Sequence, residues 1–421
     1  MIQPLRNHAR TLTASLTGTA VEFYDFYVFA TATALVFGQL FFPGSSAEAQ
    51  GVKAFMVFGL AFIARPIGAV AFGHFGDRVG RKATLVASLL LMGVSTVGIA
   101  FLPGYASAGF LAPVLLCVLR FGQGFGLGGE WGGAALLAVE NAPKGWENRF
   151  GAAPQLGAPL GFLAANGLFL LLGLWLSDAD FLSWGWRVPF LASAVLVGIG
   201  LWVRLNLTET PAFAAALAAA PPPAVPARVL LRNHWRAVLA GSAGVVACFA
   251  LFYLSTAFAL DLATKQLGYG REQFLTLQLG ANCFLAVGIV LAAWWSDRTS
   301  ARRVLLLGAL GTIAVGLLFA GGLGSGSSLL VFATLSLALF TMGFVYGPLG
   351  GWLASLYPVS VRYSGVSVAF NAGGIVGGAV TPLLAKQLVN AGLGDFYGLL
   401  LVGAGLLSVI GIVLAKPARE V

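Results

Sequence analysis

Twelve separate stretches of about 20 apolar residues, each long enough to cross roughly 30 Å of hydrocarbon, run along the 421-residue chain. They fall near 16–41, 53–75, 83–102, 110–138, 150–176, 187–206, 235–260, 274–295, 303–323, 328–354, 364–389 and 396–415. In lipid every backbone polar group must be satisfied internally, which leaves helices or a closed barrel. The runs are continuous and do not alternate with a period of two, so a β-barrel is excluded. Only 9% of the residues are charged and the mean hydropathy is +0.89, whereas soluble domains carry about 25% charged residues. A soluble multidomain enzyme, a disordered tail protein and a secreted disulfide scaffold are therefore excluded. The predicted fold is all-α and integral to a membrane, with twelve transmembrane helices.

The net charge of +9 would point to nucleic acid only if the basic residues formed one soluble patch. With both termini cytoplasmic, 17 of the 24 Lys and Arg fall in loops on that side. Five (Lys53, Arg187, Lys265, Arg271, Lys386) fall on the other side and two (Arg65, Arg120) within spans. This split predicts a chain in a cell (inner or plasma) membrane with its N- and C-termini in the cytoplasm; the charge is read as an orientation signal, with the lipid bilayer as surroundings and no nucleic-acid partner. Arg6 and Arg10 resemble a signal-peptide n-region, but the apolar run that follows is too long and holds Glu22 and Asp25, so it is read as the first span. The longest polar interruption, 208–233, is rich in Pro and Ala and separates 1–207 from 234–421, six spans each. It is read as a cytoplasmic linker. Cys117, Cys248 and Cys283 lie in spans, match no metal spacing and are read as small buried hydrophobes. Neither metal nor cofactor is expected.

The two halves repeat. Gly73-His74-Phe75-Gly76-Asp77-Arg78-Val79-Gly80-Arg81-Lys82, between spans two and three, is echoed between spans eight and nine by Ala293 to Arg302, with Asp297-Arg298 at the place of Asp77-Arg78. Glu140-Asn141-Ala142-Pro143 with Arg149, after span four, is echoed by Ser355-Leu356-Tyr357-Pro358 with Arg362 after span ten. Two offsets near 220 residues mean a duplicated six-span unit, an arrangement that forms its substrate site between the halves at mid-membrane. The 73–82 stretch resembles the G-x-x-x-D-R-x-G-R-K loop of the major facilitator superfamily. A narrower resemblance, to the metabolite:proton symporter family that includes shikimate, 2-oxoglutarate, citrate and proline/betaine permeases, is carried by five segments. They are Gly18 to Tyr27, Ala64-Arg65-Pro66-Ile67-Gly68, Arg120 to Ala134, Trp184 to Phe190 and Glu209-Thr210-Pro211. Trp184 to Phe190 and Gly128 to Lys144 look closest to the shikimate permease branch. The resemblance implies the major facilitator fold of two pseudo-symmetric six-helix bundles. It also implies a cytoplasmic latch in which Asp77 acts with Arg78, Gly80, Arg81 and Lys82, joined by Glu140, Arg149, Asp297, Arg298 and Arg362. Ser355 departs from the family, which usually carries an acid there.

Five ionisable residues are placed well within spans: Glu22, Asp25, Arg65, Arg120 and Glu130. Each costs about 2.5–3.5 kcal/mol at the bilayer centre on insertion scales, which makes a cluster of them a functional candidate. At 1.5 Å per residue, Asp25, Arg65 and Glu130 all lie roughly 15–18 Å from the cytoplasmic end, on one level. The candidate proton carriers are Asp25, Glu130 and Glu22. The plainer alternative is a permanent ion-paired network fastening spans one, two and four. Arg65 and Arg120 are the cations available to a substrate, and a guanidinium grips a carboxylate through two hydrogen bonds. An organic acid therefore suits them better than a sugar or a lipophilic cation. Gln123 and Tyr24 accompany them, and Tyr253, Asn282, Tyr346 and Asn371 are the candidate lining of the second half. The glycines of span eleven are read as packing residues.

The chain reads as a monomeric secondary transporter that imports a small organic acid with protons by alternating access. A proton-independent facilitator or antiporter, and a proline/betaine-type osmolyte symporter, remain open beside it. No G-x-x-x-x-G-K-[ST] phosphate loop occurs. His8, His74 and His234 carry no catalytic pattern, so the chain is not read as an enzyme.

Overall fold

The computed structural model describes residues 8–79, 81–205 and 226–418. Its twelve membrane-length helices are α1 Leu12–Phe41, α2 Ala47–Phe72, α3 Ala83–Ala100, α4 Leu111–Glu140, α5 Glu147–Trp175 and α6 Gly185–Val203, then α7 Trp235–Lys265, α8 Arg271–Arg298, α9 Ala301–Leu323, α10 Ser328–Ser355, α11 Arg362–Asn390 and α12 Gly394–Leu414. There is no strand among the described residues. A short helix, Pro226–Asn233, leads into α7; of the linker, 208–225 lies outside the described residues. The face that carries residues 8 and 418 is called the terminal face below, and the opposite one the far face.

The duplication is visible in the irregularities of the helices. α1 carries a π-helical turn at Thr33–Phe37 and α7 one at Leu254–Phe258, about 220 residues on. α4 breaks between Leu127 and Glu130, and α10 between Tyr346 and Leu349. α5 is interrupted at Leu156 beyond Pro154, and α11 by the π-helical turn Ile375–Val380. Such interruptions free backbone groups and bend the helix, and they persist where neighbouring helices re-satisfy those groups. Each pair falls in corresponding helices of the two bundles.

Close crossings repeat as well. A Cβ on Gly68 of α2 would lie 2.0 Å from the Phe125 carbonyl oxygen of α4, and one on Gly288 of α8 would lie 2.5 Å from the Phe340 carbonyl oxygen of α10. Backbone meets backbone at both places, and small residues are what permit it in a membrane bundle. Gly68→Ala is therefore expected to lower the thermal unfolding midpoint in detergent by several degrees, an overpacking cost of about 1–3 kcal/mol. Gly167→Ala, in α5 with nothing within 4 Å of the added carbon, should leave it unchanged or raise it. Equal midpoints for the two variants would contradict the crossing.

α1 and α7 are the most enclosed helices, with 89% and 72% of their apolar windows buried, against 28% for α6. They stand at the centre, where the first bundle meets the second. α2 packs on α11 and α5 on α8, and the lower halves of α4 and α5 meet α10 and α11. Val195, Leu174 and Leu317 are among the apolar side chains left exposed on the outer surface, the composition a lipid-facing belt requires.

α7 runs five residues beyond the end expected from hydropathy, to Lys265. Asp261, placed by sequence in a loop, is thereby carried into the bundle and fully buried, and Lys386 of α11 is buried with it. The inventory of five buried ionisable residues is corrected to include these two.

Candidate functional site

The centre of the molecule is built around Phe26 of α1. The Arg65 guanidinium of α2 stands 4.2 Å from its ring and the Arg120 guanidinium of α4 stands 4.3 Å from it. Arg120 is fully buried. Its Nε and Nη2 donate to the Phe58 carbonyl oxygen at 3.4 and 3.3 Å, Nη1 donates to Gln123, and the Phe29 ring lies 3.9 Å away. Arg65 lies 4.9 Å from the Phe62 ring, and its Nε has no hydrogen-bond partner. Among the described residues no ion pair joins either guanidinium to a carboxylate; Glu22 acts on Arg65 only at coulombic range. Ring faces offset part of the cost of burying these charges. Tyr253 of α7 closes the aromatic cage from the second bundle, 5.8, 5.3 and 5.3 Å from the rings of Phe26, Phe58 and Phe62.

The opposite side of α1 faces into its own bundle. Tyr24 donates to the Pro189 carbonyl oxygen of α6 at 2.8 Å, which turns it away from the inter-bundle surface. Asp25 is fully buried between Ser193 of α6, which donates to Oδ1, and Thr96 of α3, whose hydroxyl lies 3.2 Å from Oδ2. Gln123 donates through Nε2 to Thr96 Oγ1 at 2.9 Å and to the Asp25 carbonyl oxygen at 3.0 Å. A chain of hydrogen bonds thus runs from the Asp25 carboxyl through Thr96 and Gln123 to Arg120. In place of the ion-paired network entertained from sequence, the Asp25 carboxyl takes hydroxyl contacts.

Below this level the bundles lock together at the break in α4. Asn371 of α11 donates to the Gly128 carbonyl oxygen at 2.9 Å, and Tyr363 donates to that of Gly129. Glu130, which follows the break, is buried. Trp131 stacks on Phe370 with centroids 3.5 Å apart, and its Nε1 donates to Gln155 at 3.1 Å and reaches the Tyr346 hydroxyl at 3.4 Å. Asn282 of α8 donates to the Pro159 carbonyl oxygen of α5 at 2.9 Å. Tyr253, Asn282, Tyr346 and Asn371 therefore all stand at the inter-bundle surface.

At the terminal face Arg149 Nε lies 2.6 Å from an Asp297 carboxylate oxygen. The backbone N–H groups of Asn148 and Arg149 donate to the same carboxylate at 2.9 and 3.2 Å, so Asp297 of α8 sits on the amino end of α5, where an anion is favoured. Arg298 instead lies exposed over the Trp294 ring at 3.6 Å. Arg362 holds the Tyr357 carbonyl oxygen at 3.2 Å, and Glu140 is half-buried at the end of α4. Gly80 and the side chains of Asp77, Arg78, Arg81 and Lys82 lie outside the described residues.

The central voids lined by described residues are small. One void of about 20 Å³ is lined by Tyr27, Cys248, Phe252, Tyr253, Tyr346 and Phe370. Another, of about 10 Å³ toward the far face, is lined by Tyr27, Thr31, Asn166, Thr256 and Gln278 among others. Each has room for about one water molecule. Sequence reading passed over this second group. Asn166 and Gln278 were findable as lone amides inside apolar spans, each worth a question on desolvation grounds; Tyr27, Thr31 and Thr256 carry no comparable signal.

Two six-helix bundles repeated in parallel, twelve membrane-length helices in all, define a major facilitator transporter. The comparisons agree. The sugar (and other) transporter family matches residues 10–219 and 229–417, and the chain belongs to that family. It is 46% identical to the inner membrane metabolite transport protein YhjE of Escherichia coli K12, over 99% of this chain and 96% of that protein. To the shikimate transporter of the same organism it is 37% identical, over 98% and 95%. The fold is that of the xylose transporter XylE from E. coli in a partially occluded inward-open conformation, with a TM-score of 0.75 at 17% identity over 94% of this chain and 96% of that one.

Proposed function

We propose that this metabolite transporter is a monomeric symporter that takes up a small organic acid together with protons, with both termini in the cytoplasm and with 1–207 and 234–421 as its two moving bundles. The observation that carries the substrate class is the pair of buried guanidiniums on one phenylalanine ring, which no ion pair joins to a carboxylate among the described residues. A dicarboxylate or hydroxylated monocarboxylate supplies the missing charge and accepts paired hydrogen bonds. The shikimate transporter among its relatives is in keeping with this.

The proton path rests on Thr96. Its hydroxyl has one proton and two acceptors, the Met92 carbonyl oxygen at 2.9 Å and Asp25 Oδ2 at 3.2 Å. When Asp25 is ionised the hydroxyl turns to it; when Asp25 carries a proton, the carboxyl donates and the hydroxyl returns to Met92. Gln123 bonds the same oxygen and Arg120, so the protonation state is felt at the substrate cation. Glu130 and Glu22 stand as the other candidate carriers.

A thermal-shift screen of carboxylates, zwitterionic osmolytes and sugars in detergent, followed by proton uptake into proteoliposomes, tests the reading. Stabilisation by a carboxylate and proton entry with it are expected. Stabilisation by betaine or proline alone favours the osmolyte reading, and substrate entry without protons favours a facilitator.

A further inference from the structure

Asp261 and Lys386 are buried ionised side chains that the central site does not use. Lys386 Nζ is bonded to one oxygen of Asp261 and Lys265 Nζ to the other. The Asp261 side chain has no exposed surface and that of Lys386 has 4%, while Lys265 is 34% exposed. Asp261, Lys265 and Lys386 all belong to the second bundle, yet the stem of Lys386 lies against the first. A Cβ on Gly51 of α2 would come within 2.8 Å of Lys386 Cε and 3.3 Å of Nζ, so the lysine rests on bare α2 backbone. Glu48, exposed and one turn before Gly51, is within coulombic reach of it. An ion pair that does cross between the bundles at this face, Arg271–Asp178 at 3.2 Å, leaves its carboxylate 89% exposed, and such pairs contribute little.

We propose that Asp261, Lys386 and Gly51 form the gate of the far face. Asp261 anchors the Lys386 ammonium as a plug in the small-residue gap of α2, and opening of that face is the withdrawal of Gly51 from Lys386. The two ions are dry only while α2 and α11 are together, and they gain water when the helices part. A buried pair tolerates replacement of both members by apolar or neutral groups but not loss of one, because the remaining charge is stranded. Asp261→Asn strands Lys386, which then finds water only with the far face open. Asp261→Asn combined with Lys386→Met leaves no buried ammonium and permits closure. Gly51→Leu props the helices apart by pressing on the Lys386 side chain and removes neither charge. The counterpart at the terminal face is the α5–α8 contact of Arg149 with Asp297.

Cys248, 2% exposed and lining the central void, is the reporter. With Cys117 and Cys283 changed to alanine, sealed vesicles of each orientation are treated with a membrane-impermeant maleimide. Asp261→Asn and Gly51→Leu are each expected to raise labelling of Cys248 from the far face at least tenfold, with no rise from the terminal face. The Asp261→Asn, Lys386→Met double variant should return it to the parent rate. Unchanged far-face labelling in folded Gly51→Leu protein, a rise from the terminal face instead, or a double variant as open as Asp261→Asn alone would each overturn the assignment.

Discussion

Arg120→Gln is expected to weaken substrate binding at least thirtyfold while leaving the empty protein as stable as before or more so. The guanidinium is fully buried and has no carboxylate partner among the described residues, so removing its charge relieves a desolvation cost that its carbonyl, amide and ring contacts do not repay in full. In the loaded site the same change strands a carboxylate among Phe26, Phe29 and Phe58. Truncating one member of a desolvated charge pair costs about 2–5 kcal/mol, a loss of affinity of roughly thirtyfold to several thousandfold. Arg120→Lys should restore little of it, because an ammonium presents no planar fork and loses the stacking on Phe29. Thermal unfolding with and without substrate checks both halves. A variant that unfolds readily when empty yet keeps its substrate-induced shift would assign Arg120 to the scaffold instead.

Asp25→Asn is expected to separate transport from the proton. The amide matches a protonated carboxyl in shape and meets Ser193 and Thr96 without a charge. Uptake driven by a proton gradient should fall at least tenfold, while exchange of internal for external substrate at equal pH persists. The sign with pH follows: wild-type uptake falls as external pH rises and fewer protons are available to load the site, whereas the variant's exchange is flat. Proteoliposome uptake and counterflow at several pH values check this. Proton-driven uptake at wild-type level in Asp25→Asn, with loss in Glu130→Gln, would move the carrier to the break in α4.

Much of the architecture was legible because crossing a bilayer demands long apolar runs, and the duplicated loops marked the repeat. The structure added that helix irregularities repeat too, as in the π-helical turns of α1 and α7. Arg65 and Arg120 were legible as candidate substrate cations because an arginine inside an apolar span is costly enough to stand out. Tyr24 was less so. It neighbours Asp25 in sequence, but one step along a helix is 100° of rotation, and Tyr24 faces α6 while Phe26 and Tyr27 face the second bundle.

Asp261 and Lys386 show the other boundary of sequence reading. They lie where spans end, and a carboxylate there is as easily hydrated in a loop as paired in a bundle. Their burial depends on five more residues of helix in α7 and on an α11 lysine 125 positions away.

The sequence by itself determined that this chain spans a membrane twelve times, that its halves are copies, and that five charges in mid-span were forced into the apolar interior. Hydropathy suffices for that, since the bilayer charges the same cost at every position around a helix. Which of those charges meet a partner, which face the second bundle and which close a gate were decided only by tertiary structure. Helices such as α8 and α10 are apolar on their lipid side and on their packed side alike, so no amphipathic stripe records their rotation; it is set by glycine crossings such as Gly288 with Gly343 and by which backbone breaks find a donor across the interface.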